Sequence, residues 1–266
     1  FPGSEVAEGE YRDAATEFED GNFDAAEKIL TKLVAEYPNF ERAAVMLAVI
    51  KYRSGDMNST AALFTDRFDA EIADPNVTKL AALSNLRNNR PERVVELLED
   101  YRDITDDPQI LVMYAQAALL SGKQTEVIPS VEKALSIDAT IPEAYLVLAD
   151  YYNAQTPPQT EKALNALRDG HKNTQTSSVS MALSQQLLLT GNVQEAQQLV
   201  LQQAKTHADD HDTLQIVGDF YARQKQFDTA GDYYKQALAL EPKNYSSAVK
   251  HAAAIQRTGS FSSTLD

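Results

Sequence analysis

The stretch Gly218-Asp-Phe-Tyr-Ala-Arg-Gln-Lys-Gln-Phe-Asp-Thr-Ala-Gly-Asp-Tyr-Tyr-Lys-Gln-Ala-Leu-Ala-Leu-Glu-Pro242 reads as two helices joined by a tight turn. A small residue, Gly218, lies on the first helix, and the turn falls at Lys225. Phe227 opens the second helix, and a second small residue, Ala230, follows it. Apolar side chains then recur at Tyr233, Tyr234, Ala237 and Leu238, the spacing of one helix face, until Pro242 ends the run. Nothing alternates polar and apolar residues as a half-buried strand would.

The same pattern recurs along the chain. The small residue reappears at Ala14, Ala48, Ala82, Ala115, Ala149, Ser184 and Ala252, at steps of 33 to 35 residues. The second position holds Ala26, Thr60, Val94, Val127, Ala163, Ala196 and Thr264. Between the two, Gly21, Gly55, Asn89, Gly122, Gly191 and Gly259 mark the turn, with Thr156 and Lys225 in the two remaining places. The physical reading is a pair of helices of about 12 residues, each roughly 18 Å long, crossing where small side chains permit close approach. Glycine just past the first helix supplies a left-handed C-cap, for which Asn is the second choice. Pro38, Pro75, Pro108, Pro142 and Pro242 separate the pairs.

This spacing predicts seven full units over 7–244, at 7–40, 41–74, 75–107, 108–141, 142–176, 177–210 and 211–244. Residues 1–6 read as an added sequence or N-terminal extension, and 245–266 as a partial eighth unit. The third and fifth units depart most, with Asn89 and Thr156 at the glycine position and Pro157-Pro158 lengthening the fifth turn. In the eighth, Gly259-Ser-Phe261 and then Thr264 begin a second helix that stops at Asp266. One turn is too short to stand alone, so either the chain is a segment of a longer one, which is the expectation, or its last helix pair ends frayed.

Slot for slot, Gly218 to Pro242 resembles the tetratricopeptide repeat, and the resemblance extends over essentially the whole chain. It implies an all-α fold, a right-handed α-solenoid of antiparallel helix-turn-helix repeats whose first helices line a concave protein-binding groove. By that resemblance the groove positions are Tyr11, Ala15 and Phe18; Arg42, Val45, Val49, Tyr52 and Arg53; and Val112, Gln116 and Leu119. Later units contribute Leu146, Asp150 and Asn153, then Met181, Gln185 and Leu188, then Gln215, Asp219 and Arg223. Exposed tyrosines and valines beside Arg suit a protein or peptide ligand, because aromatics and Arg are enriched at binding hot spots. The same side chains would also serve packing against the next repeat. Some co-chaperones of this family hold acidic tails with a clamp of Lys and Asn. Its slots here hold Tyr11, Ala15, Met46, Val112, Gln116 and Val147, so that partner is not expected. The phrases Ile141-Pro-Glu-Ala-Tyr-Leu-Val-Leu-Ala-Asp150 and Gly218-Asp-Phe-Tyr-Ala-Arg-Gln-Lys225 also resemble the long repeat proteins of bacterial PEP-CTERM, exosortase and exopolysaccharide systems. That resemblance implies a periplasmic or cell-envelope setting, and a place in an exopolysaccharide-export or envelope complex.

Composition and motifs narrow the chemistry. There are 24 basic against 39 acidic residues, a net charge of -15, which repels phosphate backbones, so no nucleic acid is expected as partner. Cysteine is absent, which removes disulfides, thiol chemistry and cysteine metal sites. No run approaches the roughly 18 apolar residues of a membrane span, so direct membrane insertion is not expected. His207-Ala-Asp-Asp-His211 has the spacing of a helical metal pair, but it falls across the boundary between two units, where a plain polar turn is the expectation. Acidic residues crowd the first unit without a pocket or partner group to turn them into acid-base catalysts. Gly122-Lys123 lacks the preceding glycine of a P-loop. The expected function is therefore a non-catalytic protein-interaction scaffold with no metal and no cofactor. The alternatives are a substrate-selecting region of a larger enzyme and a carbohydrate-binding module.

Overall fold

The computed structural model describes residues 4–64 and 74–258, and every regular element among them is a helix. The chain divides into two compact units, Phe1–Asp138 and Ala139–Asp266. The first contains α1 (Ser4–Glu19), α2 (Phe23–Glu36), α3 (Glu41–Arg53), α4 (Met57–Leu63), α5 (Pro75–Arg87), α6 (Pro91–Leu98), α7 (Tyr101–Ile104), α8 (Pro108–Leu120) and α9 (Val127–Ile137). The second contains α10 (Pro142–Asn153), α11 (Thr160–Thr174), α12 (Ser177–Leu189), α13 (Val193–Thr206), α14 (His211–Arg223), α15 (Phe227–Leu240) and α16 (Tyr245–Thr258). The expected eighth-unit residues Gly259, Phe261 and Thr264, like Phe1, Pro2 and Gly3, lie outside the described residues.

Within each unit consecutive helices pack as hairpins, and first helices of neighbouring hairpins also touch, as in α3 with α5 and α12 with α14. The small residues are where the helices meet. Ala14, Ala48, Ala82, Ala115, Ala149 and Ser184 are buried, as are Ala26, Thr60, Val94, Val127, Ala163, Ala196 and Ala230. Ala252 on α16 is exposed. Around these crossings, Leu30, Leu33, Leu47 and Ile50 form the core of the first two hairpins. Leu164, Leu167, Leu187, Val200, Phe220 and Tyr234 do so in the second unit. Each fully buried side chain of this kind contributes roughly 1.5–3 kcal/mol, and only stacked neighbours provide the burial.

The turns repeat one hydrogen-bonding pattern. Gly21 N–H donates to Phe18 O at 3.1 Å and Asn22 N–H to Glu17 O at 2.8 Å. The same two bonds recur at Gly55 with Asp56, Asn89 with Arg90, Gly122 with Lys123, Gly191 with Asn192, and Lys225 with Gln226. This is the Schellman closure, which satisfies the last carbonyls of a helix through a residue of positive φ. The four glycines have φ between 79 and 82°, while Asn89 and Lys225 adopt 53 and 61°.

Three places depart from the regular pattern. Thr156 does not take the left-handed turn position: the fifth turn closes through Gln159 N–H to Tyr152 O at 2.9 Å, past a cis Thr156–Pro157 peptide. The second helix of the fourth pair opens with a 3₁₀ turn, Gln124–Glu126, and becomes α-helical only at Val127. Pro129 explains the delay, since it has no N–H to give Thr125 and is tolerated only in the first turn of an α-helix. In the third pair the expected single second helix is split into α6 and α7.

Candidate functional site

α3 carries two faces. On α3, Ala43, Leu47 and Ile50 are buried, whereas Arg42, Val45, Met46 and Val49 follow i, i+3, i+4, i+7 along a second, partly exposed stripe. On α1, Ala7, Tyr11, Ala14 and Phe18 follow i, i+4, i+7, i+11 along one stripe; the two alanines are buried, while the two partly exposed rings reach the groove beside α3. α5 completes the wall. Its N-cap Asp74 accepts from Asn76 N–H at 2.8 Å, and Pro75 sets the first turn.

Together these elements enclose a groove of about 460 Å³ lined by Tyr11, Phe18, Glu41, Arg42, Val45, Met46, Val49, Asp74 and Val77. Its floor is apolar and aromatic. Arg42 is held rather than free: its guanidinium lies 5.2 Å from the Tyr11 ring centre and 5.3 Å from that of Phe40, and Nη2 donates to Glu8. Tyr11 and Phe40 meet edge to face at 5.4 Å. Behind Arg42, Ala7, Glu8, Glu36, Tyr37, Pro38, Asn39 and Phe40 line a smaller cavity of about 330 Å³.

The structure thus brings five of the expected groove residues together: Tyr11, Phe18, Arg42, Val45 and Val49. Tyr52 and Arg53 lie at the turn end of α3 and do not line this groove. Arg53 stacks over Phe23 at 4.2 Å, and Arg87 lies 5.9 Å from the Tyr52 ring centre. On α8, Gln116 is exposed and Leu119 half-buried, but Val112 is buried at 3% exposure and leaves the binding set. The reason is that α8 has no charged residue and buries Ile110, Leu111, Tyr114, Ala115, Ala117 and Ala118 nearly all round. A helix that is apolar all round is a core helix, and its sequence carried that signal. Met181, placed on the groove face by the same register, is likewise buried. Sequence reasoning missed Glu41, Met46, Asp74 and Val77 as lining residues. Asp74 was legible as the cap before Pro75.

Of the histidine pair, His211 is engaged within the protein. His211 is buried, with Nδ1 3.0 Å from Asp212 Oδ1 and Nε2 2.9 Å from Ser247 Oγ. No group of three or more His, Asp or Glu able to hold a metal occurs among the described residues. Ser247, His211 and Asp212 stand in the order of a nucleophilic triad. Ser247 is wholly buried, however, and its hydroxyl donates to Gln215 Oε1 at 2.8 Å, so its proton is directed away from His211. Among the described residues no helix is long and apolar enough to cross a membrane.

Residues 211–244 match the family model of the tetratricopeptide repeat. In fold the chain is similar to a tetratricopeptide repeat protein from Parabacteroides merdae, at a TM-score of 0.68 and 11% identity, covering 95% of this chain and 100% of that one. It is also similar to a chain of the APC/C hetero-tetramer Cut9-Hcn1, at a TM-score of 0.52 and 13% identity, covering 96% of this chain and 64% of that one. None of the curated proteins matches the chain in sequence. The chain is an all-α tetratricopeptide-repeat solenoid in fold.

Proposed function

We propose that this tetratricopeptide-repeat chain is a protein-interaction scaffold that captures a peptide or helix of its partner in the groove between α1, α3 and α5. The observation that supports this reading is the convergence of Tyr11, Phe18, Val45 and Val49 on one open cavity of about 460 Å³. That volume lies in the range of ligand-binding clefts, roughly 300–1,000 Å³. Aromatic side chains there supply large contact area at low entropic cost, and the held Arg42 fixes one edge of the site. A partner anchored here would gain about 25 cal/mol for each Å² of apolar surface removed from water. A periplasmic or cell-envelope setting in an exopolysaccharide-export complex belongs to the same proposal, supported by the sequence phrases at 141–150 and 218–225.

The test is selection of a displayed random-peptide library on the wild-type chain and on a Val45→Gln/Val49→Gln variant. Both valines are partly exposed, so the variant should keep its helical circular dichroism. Peptides enriched on the wild type should lose about tenfold or more in affinity for the variant, the equivalent of one buried apolar anchor. Enriched peptides that ignore the substitution would place the binding surface elsewhere.

A further inference from the structure

The groove is not electrically neutral, and its charges are all at one end. Glu41 opens α3 and Asp74 caps α5, so both carboxylates stand where those helices begin. Val49 lies eight residues along α3 from Glu41, about 12 Å at 1.5 Å per residue. Among the described residues neither Glu41 nor Asp74 has a Lys or Arg partner, and both are exposed. The cation that lines the groove, Arg42, is already paired with Glu8. Two helix N-termini oppose the carboxylates, but at roughly half a charge each they leave the end negative. The surrounding field has the same sign, since residues 1–40 hold ten acidic and three basic side chains.

We infer that the segment this groove takes is a peptide with a bulky apolar anchor and a Lys or Arg placed about 12 Å from it, the cation lying between Glu41 and Asp74. This rests on the groove reading above and gives it a partner chemistry. The apolar anchor sits toward Phe18 and Val49, and the cation is drawn to the carboxylate end, where Arg42 is too engaged to repel it. In an extended peptide, 12 Å corresponds to about three to four residues between anchor and cation. The acidic field speeds encounter with such a segment and turns away acidic ones.

Three fluorescein-labelled synthetic peptides test this by anisotropy. They share one Leu- and Phe-containing core and carry Lys, Ser or Glu three and four residues to either side of it. At low salt the Lys peptide should bind about fivefold or more tighter than the Ser peptide, with the Glu peptide weakest, and 1 M salt should close the gap. Glu41→Gln and Asp74→Asn should each weaken the Lys peptide by about two- to fivefold and leave the Ser peptide unchanged. Asn caps a helix as well as Asp, so the second change preserves α5. Equal binding of all three peptides, or a preference for Glu, would overturn the charge inference and leave the groove reading standing. A Lys preference that survives both substitutions would also overturn it. If no peptide binds, both readings fall together.

Discussion

At the scale of single residues, Gly218 shows why the repeat demands a small side chain. A Cβ added there would lie 2.5 Å from Cε1 and 2.6 Å from Cδ1 of Tyr234. The ring has nowhere to go, because Tyr234 is buried and its hydroxyl donates to Asp219 Oδ1 at 2.7 Å. Asp219 in turn accepts from Lys250 Nζ at 2.7 Å. Ala is the better helix former by about 1 kcal/mol, yet overpacking of this kind costs about 1–3 kcal/mol. Gly218→Ala should therefore lower stability, by up to about 2 kcal/mol, in urea denaturation. A gain in stability would mean that the ring moves freely. The recurring small residue was readable because its spacing repeats. Gly170 was not in that series, although a Cβ there would meet Tyr145 Cβ and Cγ at 2.7 Å. A glycine inside a helical pattern announces a close approach, but its neighbour depends on how α10 and α11 cross, which no periodicity reports.

At the scale of elements, α7 is the piece whose existence sequence periodicity hid. The general pattern of two helices of about 12 residues per unit gives each pair one second helix, and in the third pair, already marked as departing, it ends at Leu98 and restarts at Tyr101. What fixes the short segment is Arg102. Its guanidinium lies 4.6 Å from the Tyr114 ring centre, donates to Tyr114 Oη at 3.0 Å and pairs with Glu126. Lys133 Nζ adds bonds to the carbonyls of Arg102 at 3.0 Å and Asp103 at 3.2 Å. These partners lie on three elements that meet only after folding, so the pattern of one helix could not forecast them. α7 makes only one helical turn, too little to persist without such contacts. Arg102→Ala should therefore release it. Amide exchange at residues 101–104 should accelerate by at least about tenfold, the effect of roughly 1.4 kcal/mol, while exchange in α1 and α2 stays as it was. Acceleration spread evenly over the first unit would show that the arginine supports the whole unit and not α7 alone. The fourth and fifth pairs carry the same lesson in reverse: Pro129 and Pro157 were visible in the sequence, but the late α-helical start at Val127 and the turn closure through Gln159 were not.

For the molecule as a whole, the repeat made the architecture legible because each hairpin solves the same burial problem, so one well-matched unit stands for the rest. The groove was only half legible. Its apolar face follows from helix register, whereas Glu41 and Asp74 reach it because consecutive first helices begin at the same end. One property of the entire chain follows from its buried tyrosines. Burial, followed by the bond to Asp219, pushes the Tyr234 hydroxyl well above the ordinary tyrosine range. Burial alone leads the upward shifts of Tyr114 and Tyr221. In the unfolded chain these groups ionise near pH 10, so above that pH unfolding releases protons that the folded state retains. Their stabilisation is complete below about pH 10 and declines as pH rises past it, by up to about 1.4 kcal/mol per pH unit for each such tyrosine. The net charge of -15 at neutral pH grows more negative over the same interval and adds self-repulsion. Thermal unfolding should accordingly show a plateau below pH 9 and a steep fall in midpoint between pH 10 and about 11.5. Tyr234→Phe separates the two causes. It should lower stability at pH 8 by about 0.5–1.5 kcal/mol through the lost hydrogen bond, yet make the alkaline decline shallower, because one ionisation no longer opposes folding. An unaltered alkaline slope in that variant would assign the decline to general repulsion and remove Tyr234 from the account.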